Sequence, residues 1–439
     1  MGEEQVNVKT EPAKTKKVEA KDVQRGVWNA ETLSEIDYKA HYGKHRIRGC
    51  GATRPMPTFD DLMILPSQLS RMSIDTYRED CETRVVLGKR FAKKPLVIET
   101  PIMIAGMSYG ALSKEAKIAL AKATQAVGTV ISNGEGGLLP EERANSYRQS
   151  IQILPSRYGF SKENLEKADM LEWLVGIGAK PGLSGHLMGS KITKEIAEMR
   201  KVPVGINLYS IPRPGDAFGA DDLTVKMEQL RELTKWETPI FAKIAAGRVR
   251  DDVKMAAKVG FDGIILDGAQ GGTGAAPVVA SGHLGIPTMP ALVQAVKTLE
   301  EMGIKDEMSL IISGGIKDGA DVAKALAIGA DAVAIGTGAM VAMGCRVCLK
   351  CQKGVCAFGI GTQDPELRKR LDIDEAAERV ANYIKGMTYE AVLLAKAAGK
   401  TKLKSLERED LRSLTLESCA MTGIPLVGSN YTFGERFGF

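Results

Sequence analysis

The chain has 439 residues, of which 44% are hydrophobic and 47 are glycine, and its formal net charge is +5. This content can bury a sizeable core, and the small, scattered charge forms no basic stripe that would follow a nucleic-acid backbone, so we expect no nucleic-acid partner. No apolar run approaches the roughly 20 residues that cross a bilayer, and the N-terminus lacks the apolar stretch of a secretory signal, so we expect no membrane partner and a cytoplasmic protein.

The first predicted element is a flexible N-terminal arm over residues 1–45. Its opening residues mix charges with few large apolar side chains, which cannot offset the entropy of ordering them. From residue 46 to about 95, the prolines Pro55, Pro57 and Pro66 exclude long helices, so we expect an irregular segment wrapped on a larger body.

Repeated βα units follow from residue 100, where short apolar runs alternate with helical periodicity. The predicted strands are Ile102–Ala105, Val127–Ser132, Leu174–Ile177, Val202–Ile206, Ile240–Ile244, Gly263–Asp267, Ser309–Ser313 and Ala332–Gly336. The predicted helices include Ser113–Ala126, Thr193–Arg200, Asp221–Lys235, Val253–Val259, Ala291–Met302 and Gly319–Ile328. The pattern predicts the α/β class and a (β/α)8 TIM barrel over residues 46–344, with the N-terminal arm as an extension.

Glycine clusters follow several predicted strands, at the positions where a barrel gathers its chemistry. They are SNGEGG (132–137), GAKPG (178–182), GAQGGTGAAP (268–277), SGG (313–315) and GTG (336–338). The loops after strands seven and eight form the usual barrel site for a ligand phosphate, because glycine lets several backbone N–H groups converge on one anion. Ordinary turn glycines are the alternative at this point.

A cysteine-rich loop is predicted at residues 345–363. Cys345, Cys348, Cys351 and Cys356 have the spacing C-x2-C-x2-C-x4-C, which favours metal ligation over disulfides in a reducing compartment. Similar thiolate runs hold iron–sulfur clusters, whereas zinc ribbons split their ligands into two separated pairs. The spacing favours an iron–sulfur cluster, with zinc and inert thiols as alternatives. Residues 364–439 are predicted as a C-terminal extension, helical to residue 414 and then an irregular tail.

Several stretches together resemble the central FMN-binding region of glutamate synthase large subunits and of their split archaeal-type versions, over roughly residues 50–430. The matching stretches are FDDLMILPSQLSR, PIMIAGMSYGALS, SNGEGG, GAKPG, GGTGAAP, SGGIKDGADVAKALAIGADAVAIGTGAM and the cysteine run followed by GIGTQDPELRKRL. The resemblance implies FMN over the barrel mouth, held by Met107, Ser108, Asn133, Lys243, Gly271, Gly272, Gly274, Gly314, Gly315, Gly336 and Thr337. Lys243 could pair with a flavin anion or be a solvated lysine of the rim.

The resemblance also implies a substrate, 2-oxoglutarate, whose two carboxylates need cationic partners. Lys180 and Arg200 match the family's ligands, and Arg157 is a third cation in a matching motif. Glu135 matches as well and could position ammonia or a proton near the imine, so the predicted catalytic residues are Glu135 and Lys180. His186 stands where the family has glutamine, and this substrate-binding position could accept another keto acid or amine, or could make an ordinary polar contact. Arg200 could instead complement the dipole of its helix.

The cysteines add a second implied cofactor. Three family cysteines with the spacing of Cys345, Cys351 and Cys356 hold a 3Fe–4S cluster, and Cys348 could complete a 4Fe–4S cluster here. The implied enzyme is an FMN- and iron–sulfur-dependent oxidoreductase that reduces 2-iminoglutarate, formed from 2-oxoglutarate and ammonia, to L-glutamate, with electrons arriving through the cluster.

Partner chains are expected because the sequence lacks a glutaminase nucleophile after the initiator, a Rossmann-type dinucleotide motif and the family's C-terminal β-helix. We therefore expect a hetero-oligomer with a glutaminase subunit, a β-helix subunit and an NAD(P)H- or ferredoxin-linked electron-donor subunit. The flavin subunit of an N-methylglutamate synthase and a non-catalytic electron-relay subunit are the alternative interpretations.

Overall fold

The structure, a computed structural model, describes residues 27–49 and 51–432 and divides into two compact units, residues 1–46 and 47–439. In the first unit the helix Ala30–Tyr42 begins after Asn29, whose side chain accepts a hydrogen bond from the Thr32 backbone N–H, and ends at Gly43 with φ 58°. These two caps stabilise a helix where a flexible arm was predicted, which corrects that prediction for residues 30–42. Residues 1–26 of the predicted arm lie outside the described residues.

The second unit is built on a closed barrel of eight parallel strands, which confirms the predicted (β/α)8 TIM barrel. The barrel strands are β1 (Ile102–Ile104), β2 (Val130–Ser132), β3 (Arg148–Ile153), β4 (Met170–Leu174), β5 (Ile240–Ala245), β6 (Gly263–Asp267), β7 (Ser309–Ser313) and β8 (Ala332–Ile335). Each strand pairs with its neighbours in chain order, and β8 closes the barrel on β1 with Ala334 opposite Met103.

One predicted strand is not a strand and one barrel strand was not predicted, so the count of eight is unchanged; a third strand was predicted at the wrong position. The run predicted at 202–206 is not a strand, because Pro203 interrupts it and Gly205 has φ 76°; Val204 is 59% exposed. Instead β3 was missed, since the polar residues of RQSIQI hide it from a search for apolar runs. The strand predicted at 174–177 is displaced towards the C-terminus, because β4 begins at Met170 and ends at Leu174.

Helices surround the barrel sheet. They are Lys114–Val127, Pro140–Asn145, Lys162–Glu166, Lys194–Arg200, Ala220–Leu233, Val249–Val259, Val278–His283, Thr288–Glu301, Gly319–Ile328, Thr337–Ala342, Pro365–Arg368, Ile373–Ala397 and Leu416–Thr422. The apolar faces of most of them join the outward side chains of the strands in one large core. Within the described residues, no helix is both long enough and apolar enough to span a membrane.

The C-terminal extension belongs to the body of the barrel. Its long helix Ile373–Ala397 packs against Lys114–Val127 and Gly319–Ile328. Two parts of this extension differ from the prediction. The strand Leu411–Ser413 pairs with Leu62–Ile64 where helix was predicted, and the predicted irregular tail contains the helix Leu416–Thr422, which begins with a capping box at Thr415.

The amino end of the barrel is closed by the hairpin of Val85–Leu87 and Leu96–Ile98. Leu87, Leu96 and Ile98 are at most 3% exposed and join the inward side chains of the strands, such as Phe241 and Ile265, in a second core cluster. Since this end is filled by apolar side chains, the carboxyl ends of the strands are the accessible end. Two small antiparallel pairs lie outside the barrel sheet, Ile47–Arg48 with Ala276–Pro277 and Gly185–Leu187 with Leu208–Ser210.

Candidate active site

A cavity of about 790 Å³ lies at the carboxyl ends of the barrel strands. Sixteen of the sequence-predicted site residues line it: Met107, Ser108, Glu135, Lys180, His186, Arg200, Lys243, Gly271, Gly272, Gly274, Gly314, Gly315, Gly336, Thr337, Cys345 and Cys351. Four others do not, namely Asn133, Arg157, Cys348 and Cys356. The structure therefore brings together residues from most of the strand-end loops in one concave site of the size that cofactors occupy.

One end of the cavity is built of glycine backbone. An added Cβ on Gly272 would lie 2.6 Å from Thr337 Oγ1, and one on Gly314, which has φ 110°, would lie 2.8 Å from Thr288 Oγ1. Only glycine allows the loops after β6, β7 and β8 to approach this closely. Backbone N–H groups can therefore converge here without side chains between them, as a phosphate requires.

The first two loops are fixed by a buried lysine. Lys117 is fully buried and donates hydrogen bonds from Nζ to the carbonyl oxygens of Met107 (2.6 Å) and Asn133 (3.1 Å). It also pairs with the buried Glu142 at 2.9 Å. Burial raises the pKa of Glu142, and the charge of Lys117 opposes that shift. Because one ammonium bonds both backbones, the loops after β1 and β2 are held at a fixed separation.

Asn133 has a structural task. It is 1% exposed, its Oδ1 accepts a hydrogen bond from the Gln152 backbone N–H at 2.8 Å, and its Nδ2 donates to the Gly137 carbonyl at 2.8 Å. The side chain ties the SNGEGG loop to β3 and is not at the cavity surface, so the structure does not support a direct contact of Asn133 with a cofactor.

Two charged residues on strands, Lys243 and Asp267, line the cavity, and Lys243 has a buried carboxylate partner. Lys243 on β5 is 4% exposed and faces Glu172 on β4 across 3.9 Å. Asp267, the last residue of β6, accepts a hydrogen bond from the Gly178 backbone N–H at 2.7 Å. Buried charges of this kind are costly unless they are partnered or face a polar ligand, so this part of the barrel is a candidate ligand-binding region.

Lys180 and Glu135 meet beside Gly185. An added Cβ on that glycine would lie 3.1 Å from Glu135 Oε2 and 3.2 Å from Lys180 Nζ. Burial lowers the pKa of Lys180, and the nearby Glu135 carboxylate partly opposes that shift. A cation and a carboxylate thus share one end of the cavity, where the cation can bind an anion and the carboxylate can accept or donate a proton.

Arg200 bonds the backbone at this end of the cavity. It is 3% exposed, and its Nη2 donates to the carbonyl oxygens of Tyr109 (2.9 Å) and Glu135 (3.0 Å), while Nε is buried with no hydrogen-bond partner among the described residues. An added Cβ on Gly136 would lie 2.4 Å from Arg200 Cζ. Burial lowers the pKa of Arg200, with Glu135 opposing. The guanidinium therefore fixes the backbone that carries Glu135.

His186 lies at the cavity wall, on the strand Gly185–Leu187 that pairs with Leu208–Ser210. Its ring stacks on Tyr209 with centroids 4.8 Å apart and an interplanar angle of 7°. Its Nε2 atom is buried without a hydrogen-bond partner among the described residues. The stacking fixes the plane of the His186 ring, so its ring nitrogens have a fixed orientation at the cavity wall.

Arg157 is placed away from the cavity. Its guanidinium pairs with Asp216 at 3.0 Å, lies over the Trp173 ring at 4.8 Å from the centroid, and donates to the Leu154 carbonyl. These contacts account for the side chain locally. The structure does not bring Arg157 to the other predicted substrate ligands.

The cysteine loop adjoins the cavity through Cys345 and Cys351. Burial raises the pKa of Cys345, and the nearby Cys356 and Cys348 add to that shift. Lys191 donates from Nζ to the Cys351 carbonyl at 2.9 Å, and burial lowers its pKa to about 8 against the opposing influence of Cys351 and Cys356. The donor set has the thiol chemistry of an iron–sulfur site. However, in residues 27–49 and 51–432 no three His, Cys, Asp or Glu side chains are arranged closely enough to hold a metal ion.

The TQD motif joins the cysteine loop to the first barrel loop. Gln363 Nε2 donates to the carbonyl oxygens of Leu112 (2.7 Å) and Gly110 (3.3 Å), and Thr362 Oγ1 donates to the Gly354 carbonyl at 2.5 Å. Through these contacts the GIGTQDPE segment connects the cysteine loop to the GMSYG loop after β1.

Sequence reasoning missed several cavity residues. Gln152 lines the cavity from the strand that was not predicted, and the buried Glu172 is its neighbour. Ile47 and Tyr383 come from the predicted irregular segment that begins at residue 46 and from the predicted C-terminal extension. Asp267 could have been found, because an acid at the carboxyl end of the predicted run GIILD stands where barrels place functional groups.

Fold and site together define a β/α barrel with a glycine-lined ligand end and a cationic cavity. Solved structures with this fold include a flavocytochrome b2 mutant with pyruvate bound (18% identity, TM-score 0.53, covering 87% of this chain and 83% of that chain). A second is a lactate oxidase from Pediococcus acidilactici (15% identity, TM-score 0.52, covering 81% and 84%). At these identities the likeness establishes the fold.

Sequence comparison places the chain in a family. Residues 54–401 match the family model described as the conserved region in glutamate synthase. The chain is 47% identical over 420 residues to a glutamate synthase large subunit-like protein of Rhizobium meliloti (strain 1021), covering 92% of this chain and 95% of the relative. It is 40% identical over 419 residues to an archaeal glutamate synthase (NADPH) of Methanocaldococcus jannaschii, covering 89% and 82%. The chain belongs to the glutamate synthase family, which is a family of oxidoreductases.

Proposed function

We propose that this chain is the flavin subunit of a glutamate synthase, which binds FMN at the barrel mouth and reduces 2-iminoglutarate to L-glutamate. The observation that carries the proposal is the convergence, in one cavity of about 790 Å³, of a glycine-built end, the buried Lys243 and the Lys180–Glu135 pair. The glycine-built end suits the phosphate of a flavin nucleotide, and Lys243 suits its ring. The Lys180–Glu135 pair suits a dicarboxylic keto acid beside the flavin.

The residues present fit FMN. The Gly272 and Gly314 backbones form a cradle that a Cβ would fill, which suits a phosphate held by N–H groups. Lys243 could hold a flavin ring by its charge, and Met107 and Ser108 line the adjoining wall. When bound, FMN supplies hydride transfer, and the protein supplies orientation and charge.

Lys180 and Glu135 divide the substrate chemistry. Ammonia adds to the keto carbon of 2-oxoglutarate and water leaves; a hydride and a proton then convert the imine to the amine. We assign to Lys180 the binding of a substrate carboxylate and to Glu135 the placement of ammonia and of the proton. Arg200 keeps Glu135 in position through the carbonyl of the same residue. Enclosure by the strand pair that carries His186 helps exclude water.

The cysteine loop is proposed to hold an iron–sulfur cluster that passes electrons towards the cavity. Support comes from the four thiols and from the position of Cys345 and Cys351 at the cavity wall. Since the thiols do not form a preformed cage among the described residues, ligation would have to draw them together. A cluster needs a donor, so we propose an electron-donor partner; glutaminase and β-helix subunits are proposed as the further partners.

Anaerobic reoxidation of the photoreduced chain tests the function. We expect 2-oxoglutarate with ammonium to reoxidise the flavin rapidly and to yield glutamate, and Lys180→Met to slow this strongly at 2-oxoglutarate concentrations below the parent KM while it retains FMN. Reoxidation only with methylammonium would favour an N-methylglutamate synthase subunit. No acceleration by either amine would contradict the proposal and favour an electron-relay subunit.

The cluster has its own test. Electron paramagnetic resonance and iron analysis of the anaerobically purified chain should show a cluster that is lost in Cys351→Ser. If Cys348→Ser retains a 3Fe–4S signal, then Cys348 is a fourth ligand only of a larger cluster. A preparation with zinc and no iron would contradict the cluster assignment and leave the flavin assignment intact.

A further inference from the structure

Glu172 is a buried carboxylate that no assigned role explains. It lies on β4, is fully buried, and does not belong to any glycine cluster or sequence motif. Its Oε1 accepts a hydrogen bond from Ser150 Oγ at 2.6 Å, and its Oε2 accepts one from Gln152 Nε2 at 2.9 Å. Lys243 Nζ lies 3.9 Å from Oε2. An isolated carboxylate at such a position would be very costly, so these three contacts account for its presence.

Different residues supply the hydrogen bonds to Glu172 and the charge that compensates it. At 3.9 Å the Lys243 ammonium is close enough for an ion pair but beyond hydrogen-bond distance. Ser150 and Gln152 supply hydrogen bonds to the two carboxylate oxygens of Glu172. The carboxylate therefore compensates the positive charge of Lys243 without a hydrogen bond between the two side chains. The donors of Lys243 therefore stay available on the cavity side, where Lys243 forms part of the wall.

The same carboxylate orients Gln152. A carboxylate only accepts hydrogen bonds, so the amide must direct Nε2 towards Glu172 and its oxygen elsewhere. Gln152 lines the cavity, and an added Cβ on Gly106 would lie 2.5 Å from its Nε2. The loop after β1 thus packs directly on an amide whose orientation Glu172 determines.

We propose that Glu172 is a positioning residue that holds Lys243 and Gln152 at the floor of the cavity and, through the net charge of the Glu172–Lys243 pair, sets the reduction potential of the bound flavin. This inference rests on the proposed function, because it needs FMN in the cavity. Two-electron reduction places negative charge on the flavin. A cation without its counter-charge would favour the reduced form, and loss of the cation would favour the oxidised form.

The test is the midpoint potential of the FMN-loaded chain and of Glu172→Gln, Glu172→Asp and Lys243→Met. We expect Glu172→Gln to favour reduced flavin by at least tenfold, which is a positive shift of about 30 mV for a two-electron couple. Lys243→Met should shift the potential in the opposite direction. Glu172→Asp keeps the charge and should return most of the way to the parent value.

Asp262→Asn is the matched control, since Asp262 is an equally buried carboxylate paired with Arg231 at 3.1 Å but next to the amino end of β6. It should lower thermal stability and leave the potential unchanged. An equal shift in both variants, or no shift in Glu172→Gln, would overturn the inference.

If Glu172→Gln does not fold, Ser150→Ala provides a second test. Ser150→Ala frees Glu172 Oε1, which can then take a hydrogen bond from Lys243 and draw the ammonium away from the cavity, so the potential should fall. An unchanged potential in Ser150→Ala would overturn the inference in that case. A parent chain that binds no FMN would instead defeat the proposed function, and the inference with it, before any variant is compared.

Discussion

The two ends of the barrel each contain a buried ion pair, and the pairs are built differently. At the amino end, Asp262 accepts hydrogen bonds from the backbone N–H groups of Phe91 and Ile240, both at 2.8 Å, and from Arg231 Nη2 at 3.1 Å. At the carboxyl end, Lys243 stands 3.9 Å from Glu172 and faces a cavity. In the first pair both carboxylate oxygens of Asp262 accept hydrogen bonds from the protein, whereas the second pair leaves its cation open to a ligand.

The difference follows from what covers each end. The hairpin Val85–Leu87 with Leu96–Ile98 fills the amino end with apolar side chains, so a charge there must be satisfied within the protein. The loops at the other end enclose a space, so a charge there can be satisfied by a ligand. Burial and pairing alone thus do not distinguish a structural charge from a functional one. The distinguishing feature is whether hydrogen-bond donors of the charged group face a cavity.

Breaking the closed pair should give the largest effect on stability. Asp262→Ala leaves Arg231 buried without its charge partner and frees the backbone donors of Phe91 and Ile240, so we expect a loss of ~3–5 kcal/mol in the free energy of unfolding. Denaturant titration measures this loss. Asp251→Ala, at an exposed helical position, is the control and should be nearly neutral. A loss below ~1 kcal/mol for Asp262→Ala would remove the distinction between the two ends.

Removing a cation at the open end should affect substrate binding and not the fold. Lys180→Met loses a charged hydrogen bond worth ~1.5–3 kcal/mol, so the KM for 2-oxoglutarate should rise roughly 10- to 150-fold. Steady-state kinetics measure the change, and the affinity for FMN should be retained. If Lys180→Met lowers thermal stability as strongly as Asp262→Ala while KM stays constant, Lys180 is a structural residue.

The pH dependence of KM sharpens the same point. Burial lowers the pKa of Lys180, so its positive charge is fully present at low pH and is lost as the pH rises through a value below that of an ordinary lysine. The KM for 2-oxoglutarate should therefore rise with pH, and Lys180→Arg should remove this rise because arginine keeps its charge. A profile that is identical in both proteins would exclude Lys180 as the titrating group.

The smallest effect is expected at Arg157. This side chain is 27% exposed and pairs with Asp216 outside the cavity, so Arg157→Gln should change KM less than about twofold and stability by ~0–1 kcal/mol. The same kinetic assay and thermal unfolding measure both values. A tenfold rise in KM would show that Arg157 reaches the substrate in the working enzyme.

The barrel could be predicted because most of its strands are short apolar runs followed by glycine loops, as β5, β6 and β7 show. The exceptions have physical causes. Ser150 and Gln152 place polar side chains on β3 where apolar ones identify a strand, and Val204 lies in an apolar run that is exposed. A linear pattern records side-chain polarity, and it cannot show that polarity on a strand is matched by a partner on the next one.

The candidate site was predictable where the chemistry lies in local loops. The glycine cradle at Gly314 follows from loop motifs at strand ends, and the family resemblance implied Lys180 and Glu135, whose proximity the structure shows. The tasks of Asn133 and Arg157 depend on partners distant in sequence, and so does the counter-charge Glu172. These could be assigned only once the strands were adjacent in space.

Fluorescence titration of the flavin-free chain with FMN, repeated for Gly314→Ala and Asp262→Asn, tests the central claim most directly. Gly314 has φ 110° and lies 3.0 Å or closer, by an added Cβ, to Thr288 Oγ1 and the Gly268 carbonyl, so alanine should distort the cradle. We predict one FMN per chain, weakened roughly tenfold in Gly314→Ala by ~1–2 kcal/mol of strain and unchanged in Asp262→Asn. No binding, or equal affinity in all three proteins, would contradict a flavin site at the barrel mouth.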